Sequence, residues 1–292
     1  MITAAVTRGI AIIRHMTEPP HAVDKARLTE RATLAPPVHR YCPSERLQSL
    51  VRHYWVPVWD LPDGTDVEEQ VLQYPTCLLV IATDYARFYG VSRGLSTVTL
   101  SGSGWAVGVM LQPGAGTTVA ARDVSGLVDS AVDLSELEHL APLVPRVREL
   151  MAGEPTAPFR HAEAIAEVDR FLEAALPLDA EGELLNRVVQ VVESDPDLLT
   201  VTDLAARVGV TERSLQRLTE RHLGLTPKWL IQRRRLHEAV HHLKHGTQTL
   251  AGIAADLGYT DQAHFTRDFG RVTGRTPGEF ARTLGRDAPV EG

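Results

Sequence analysis

The sequence is poor in the residues on which several common functions depend. Its 292 residues hold two cysteines, Cys42 and Cys77, too few for a disulfide framework or a four-cysteine zinc site. A reducing compartment fits. No apolar run approaches the roughly 18–20 residues of a membrane span. The opening MITAAVTRGIAIIRHM is interrupted by Arg8 and Arg14 and lacks a small-residue cleavage site, so it does not read as a signal peptide. These absences lead us to expect a cytoplasmic protein away from the membrane. Between positions 40 and 130 the only histidine is His53, which denies the front half the His cluster of a metal-dependent cupin enzyme. GSGWAVG (102–108) has neither dinucleotide nor phosphate-loop spacing. No cofactor, metal site or catalytic residue is expected.

What is present is arginine, 27 against 3 lysines, within a net charge of −7. That charge is uneven. Residues 183–286 hold 15 Lys and Arg against 12 Asp and Glu, a balance of +3, while the rest holds 15 against 25, or −10. A basic segment on an acidic partner binds DNA locally and limits non-specific adhesion.

The chain is long enough for about two domains. Residues 1–36 are polar and aperiodic, a loosely ordered leader. Residues 37–177 form the expected front domain. Short runs rich in β-branched and aromatic residues (51–61, 70–74, 76–83, 86–91, 96–102, 105–113) alternate with Gly, Pro, Asp and Ser clusters, predicting a small β-barrel or sandwich. Helical spacing follows at 134–153 and 159–177, as candidate dimerisation helices, and 177–182 reads as a linker. The fold class is therefore α+β, with an all-α domain over 183–286.

That last segment contains a repeat. TVTDLAARVGVTERSLQRLTERHLGLTP (200–227) returns as TLAGIAADLGYTDQAHFTRDFGRVTGRTP (249–277). The offset is 49 up to Thr211/Thr260 and 50 from Arg217/Arg267 onward, which places one inserted residue early in the second copy's later helix. Each copy reads as helix-turn-helix. Leu204 and Val208, or Ile253 and Leu257, face a core, and Gly209 or Gly258 closes the first helix with positive φ. Thr211 or Thr260 then N-caps the next. That helix turns Leu215 and Leu218, or Phe265 and Phe269, inward. It shows Arg213, Gln216 and Arg217, or Gln262, Thr266 and Arg267, outward, the side chains that read guanine and adenine edges. Each Thr-Pro starts a further helix. A single such pair is equally a plain helical bundle; two copies on one connecting helix match reading heads about 34 Å apart.

The stretch LTVTDLAARVGVTERSLQRLTERHLGLTPKWLIQRRRLHEA…IAADLGYTDQAHFTRDFGRVTGRTPGEF resembles the AraC/XylS family of transcriptional regulators. The resemblance implies a sequence-specific DNA-binding transcription factor with both recognition helices in adjacent major-groove segments. It assigns base reading to Arg213, Gln216 and Arg217, and to Gln262, Ala263, Thr266 and Arg267. Thr219 stands where the family usually has Phe, with Trp229 as a compensating side chain. Candidate phosphate contacts are Thr211, Arg221, Lys228, Arg233, Arg235, Thr260, Arg271 and Arg275, with Arg234 between two of them; the plain alternative is a solvated or internally paired face.

The pattern HYWVPVWDLP…YPTCLLVI…RFYGV…GWAVGVMLQPG resembles, more loosely, the regulatory β-domain ahead of some AraC-type regions. It makes Tyr54, Trp55, Trp59, Tyr74, Phe88, Tyr89 and Trp105 candidate lining for an effector pocket, although alternation sends Tyr54 and Trp55 to opposite faces. Expected partners are double-stranded DNA, RNA polymerase, a small-molecule effector and a second copy of the chain. Two alternatives from other classes are a DNA repair enzyme transferring alkyl groups to Cys42, and a ligand-independent DNA-binding protein. His237, His241 and His245 recur at four-residue spacing and read as a wet helix face rather than a metal site.

Overall fold

The computed structural model describes residue 28 and residues 36–246 and 248–284. The leader expected at 1–36 lies almost wholly outside these residues. Eight strands come first: β1 (Val38–Tyr41), β2 (Val51–Asp60), β3 (Asp66–Leu72), β4 (Leu78–Ala82), β5 (Ala86–Tyr89), β6 (Leu95–Ser101), β7 (Ser103–Leu111) and β8 (Ala131–Asp133). Six form an antiparallel sheet in the order β1-β2-β7-β4-β5-β8, and β3 pairs with β6 as a separate ribbon. The arrangement is sandwich-like, not a closed barrel.

Alternation gives the large sheet two different faces. Tyr54, Val56, Leu79, Ile81, Phe88, Trp105, Val107 and Val109 enter the main core. A register shift between Val51 and His53 moves the inward phase of β2 from odd to even positions, so both Val51 and Tyr54 are buried. The opposite face carries Trp55, Trp59 and Met110 beneath the β3–β6 ribbon.

Helices cover the core face. After α1 (Gly116–Ala120) come α2 (Leu143–Met151) and α3 (Pro158–Leu172). The single helix expected over 134–153 is instead one 3-10 turn, capped by Asp133 and Glu136, followed by α2. Pro145 has no N–H for a helical bond to residue 141, so it fits only in a first turn. Residues 177–182 are not a free linker. Asp179 caps α4 (Ala180–Ser194) by accepting from the Gly182 N–H. Gly182 then packs so closely on Gly114 that a Cβ at Gly114 would meet the Gly182 carbonyl at 2.1 Å. Asn186 fixes the same seam, accepting from the Gly114 N–H at 2.8 Å and donating to the Ser49 carbonyl at 3.1 Å.

The repeat follows as α5 (Val201–Val208), α6 (Glu212–Leu223), the connecting α7 (Pro227–His245), α8 (Leu250–Asp256), α9 (Gln262–Thr273) and α10 (Pro277–Thr283). The first unit has no core of its own. Leu204, Leu215, Leu218, Leu230 and Ile231 join the β-sheet cluster. The second unit does, built on Leu236, Ile253, Phe265, Phe269 and Phe280, with Leu28 and Leu72 reaching in from the front half.

Candidate nucleic-acid interface and effector cavity

Each unit is built by local rules the sequence displays. Gly209 and Gly258 sit at φ +73° and +70° and end the first helices, a conformation open to glycine at little cost. Thr211 caps α6 by accepting from the Ser214 N–H. In the second unit the cap is Asp261, accepting from His264 N–H at 2.7 Å, and not Thr260. The extra residue therefore lies in the turn, ahead of α9, and the constant offset of 50 begins at the cap.

The caps put equivalent faces outward. At about 100° per residue, Leu215 and Leu218 turn inward in α6 and Phe265 and Phe269 in α9, all buried. Arg213 and Arg217, and Ala263 and Arg267, are exposed; Gln216, Gln262 and Thr266 are half-buried. Among the described residues no carboxylate pairs with Arg213, Arg217 or Arg267. The Gln216 amide donates to Glu220 one turn on.

The flanking cations sort differently. Lys228 is exposed. Arg221 pairs with Glu181 at 2.9 Å and Arg271 with Asp268 at 3.0 Å. Arg275 donates to the Gln70 side chain of β3 at 3.3 Å, and Arg235 lies 3.8 Å from the Tyr259 ring centroid. Thr211 and Thr260 are exposed on the turns. Arg233 is a correction to the phosphate set. It is 2% exposed, stacks on Trp229 at 4.5 Å and donates to the carbonyls of Ser92 and Arg93; burial pulls its guanidinium down to about 10. Arg234, also buried, is held by Glu238 and the Leu198 carbonyl. Three consecutive arginines point three ways around a helix, and the sequence does not say which points inward. Thr219 is fully buried, donating to the Gln216 carbonyl at 3.1 Å, and Trp229 is partly buried against the main core.

A cavity of 910 Å³ lies between the large sheet and the β3–β6 ribbon. Trp55, Trp59, Tyr74 and Tyr89 line it. Tyr54, Trp105 and Phe88 do not. They stand on the other face of the sheet and build the main core, as strict alternation requires. Trp55 and Trp59 lie flat because their cross-strand partners are Gly108 and Gly104; a Cβ at Gly108 would fall 2.1 Å from the Trp55 ring. The lining also includes His53, Tyr85 and Arg87, none of which the sequence singled out for this role. The signal that identifies His53 and Arg87 is their position two residues from Trp55 and Tyr89 along the same strands, while Tyr85 precedes β5 in the same phase. Burial, with Arg52 and Arg40 nearby, lowers His53 to about 4, so its imidazole is neutral at pH 7.

No described helix is long and apolar enough to cross a membrane, and no described group of three or more His, Cys, Asp or Glu gathers as a metal site. Cys77 is buried, which pushes its thiol up to about 12.

Two helix-turn-helix units on one connecting helix, each with an exposed arginine-bearing face, define a double helix-turn-helix protein. Comparison with known proteins agrees. Residues 204–283 match the family described as a helix-turn-helix domain, and residues 39–133 match a domain of unknown function, DUF6597. The HTH-type transcriptional activator RhaS of Escherichia fergusonii is 27% identical over 168 residues, 55% of this chain and 59% of that protein. RhaS of Enterobacter sp. (strain 638) is 37% identical over 79 residues, 27% of this chain and 28% of that protein. The chain thus spans about three-fifths or less of the length of these curated relatives. Among solved structures, the C-terminal domain of AraT, a response regulator from Geobacillus stearothermophilus, is 26% identical over 36% of this chain and 86% of that one, with a TM-score of 0.32. ToxT from Vibrio cholerae is 12% identical over 79% of this chain and 98% of that one, with a TM-score of 0.40. Over residues 204–283 the chain thus carries a helix-turn-helix domain similar to those of AraC-type transcriptional regulators.

Proposed function

We propose that this protein is a sequence-specific transcription factor, acting in the cytoplasm on double-stranded DNA and answering to a small molecule in the β-domain cavity. The observation that carries the reading is the exposure of Arg213, Arg217 and Arg267, without ion-pair partners among the described residues, on the outward faces of α6 and α9. Arginines so placed are ready to form bidentate contacts with guanine in the major groove. Lys228 and the turn hydroxyls of Thr211 and Thr260 supply nearby phosphate contacts; Arg221, Arg271 and Arg275 reach phosphate by exchanging their protein partners, and Arg235 by leaving Tyr259. RNA polymerase and a second copy of the chain are further partners consistent with such a factor.

Selection of duplexes from a random pool, followed by binding titrations at several salt concentrations, tests this. A bipartite motif with half-sites about one helical turn apart is expected. Arg217→Ala and Arg267→Ala should each lose about 1–3 kcal/mol and relax one half-site. A pool that stays random, with both variants binding like wild type, would refute the reading.

A further inference from the structure

The two recognition faces are unlike, although the units that carry them share a repeat. With the offset of 50 fixed by the caps, Arg213, Gln216, Arg217 and Glu220 on α6 correspond to Ala263, Thr266, Arg267 and Gly270 on α9. The first face presents two guanidiniums four residues apart, about 6 Å along the helix. That is less than two base steps at about 3.4 Å each. Its amide, Gln216, is engaged by Glu220, which leaves the two arginines as its uncommitted donors.

The second face has one guanidinium, Arg267, set among the half-buried Gln262 amide, a methyl, a threonine and a bare backbone. Gly270 is not there for packing. A Cβ at that position would meet nothing nearer than the Arg275 carbonyl at 3.6 Å, an ordinary contact. Glycine inside a helix is destabilising relative to alanine, so this position departs from helix preference on the side that carries Arg267. It removes a side chain where α6 has a carboxylate, and lets the helix approach the groove floor more closely.

Resting on the DNA-reading function above, we propose that the two half-sites differ in guanine content. The first unit reads two guanines, through Arg213 and Arg217. The second reads one guanine through Arg267, flanked by thymines whose C5 methyl groups meet Ala263 and the Thr266 methyl. Apolar contact with the thymine methyl is the readout open to such side chains.

The test is in-vitro selection with the full chain from a random duplex pool, run for wild type, Arg213→Ala, Arg217→Ala, Arg267→Ala and Ala263→Arg. All four positions are exposed, so the variants leave the core untouched. Wild type should enrich one half-site with two guanines and one with a single guanine beside thymine. Arg213→Ala and Arg217→Ala should each release one guanine of the first half-site, with about ten- to hundredfold weaker binding to the wild-type site. Arg267→Ala should release the lone guanine of the second. Ala263→Arg, which installs the counterpart of Arg213, should replace a thymine there with guanine. Equal guanine content in both half-sites, or an unchanged motif for Ala263→Arg, overturns the asymmetry and leaves the DNA-reading function standing. A pool that stays random for wild type removes both.

Discussion

Arg233, midway along α7, donates to the main-chain carbonyl of Arg93, in the loop between β5 and β6. The contact ties the helix that joins the two helix-turn-helix units to the rim of the cavity, since Ser92 and Gly94 line it. One turn on, His237 is buried and not on a wet helix face, its Nε2 lying 2.8 Å from the Leu72 carbonyl at the end of β3. Under the proposed function, a molecule that reshapes the rim would act directly on α7.

The energetics of that contact yield a prediction. Hydrogen bonds from a charged group contribute about 1.5–3 kcal/mol. Against this, the guanidinium is buried, its Nη1 has no partner and its pKa falls from 12.5 to about 10, a cost of about 3 kcal/mol at 1.36 kcal/mol per unit. The two terms nearly cancel. Arg233→Met should match wild-type stability in urea to within about 1 kcal/mol, as apolar replacements of buried charges do. Arg233→Lys, which keeps the charge and loses the fork, should cost about 2 kcal/mol. In Arg233→Met, amide exchange in residues 91–94 should rise. A loss of 3 kcal/mol or more for Arg233→Met would show that the carbonyl bonds dominate.

The placement of the extra residue in the second turn gives a second prediction. An N-cap side chain contributes about 1 kcal/mol. Thr211→Ala and Asp261→Ala should each destabilise by that amount, and Thr260→Ala by less than half of it, measured by urea denaturation. Equal costs for Thr260→Ala and Asp261→Ala would contradict the assigned cap.

The repeat was readable because its signals are local. Apolar spacing, a positive-φ glycine, a capping hydroxyl and Thr-Pro all act within one or two turns. The long strands were readable by composition. β1 and β8 were missed because four and three residues are too few to show a period. Pro177 and Gly182 looked like a linker, yet Gly182 is a helix residue whose missing Cβ serves a contact 68 positions away, at Gly114. The cavity was half readable. Alternation shows that Tyr54 and Trp55 part company, but which face meets helices depends on the register shift in β2. Arg233 was unreadable for the same reason, since its partners come from a loop 140 residues earlier.

Trp55 lying across Gly108 gives a third prediction. Filling a packed site with extra carbon costs about 1–3 kcal/mol, and here the added Cβ would overlap the indole. Gly108→Val should destabilise by that amount and red-shift the tryptophan emission as the ring is lifted from the sheet. Combining it with Trp55→Ala should recover part of the loss, a coupling visible in a double-mutant cycle. Additive losses would mean that the ring has room to move aside.

The last prediction concerns pH and lies on the opposite face of the same strand. Tyr54 donates its phenol to Asp169 of α3 at 2.5 Å. Burial raises the Asp169 carboxyl from 3.8 to about 6, partly offset by the Tyr54 hydrogen bond. A carboxyl whose folded pKa is raised favours the fold fully below its unfolded pKa, and that contribution is lost as pH rises through the folded value. Between pH 4 and 6 this group should therefore lower stability with rising pH by about 2–3 kcal/mol at 1.36 kcal/mol per unit. Asp169→Asn keeps an acceptor for Tyr54 and cannot ionise, so it should flatten that part of the profile and exceed wild type at pH 7. Tyr54→Phe removes the bond that favours the carboxylate, so it should push the midpoint upward. Urea denaturation of the three proteins at half-unit steps from pH 4 to 7 reads all of this. Parallel profiles for wild type and Asp169→Asn would show that Asp169 is ionised throughout, with the short Tyr54 bond holding it so.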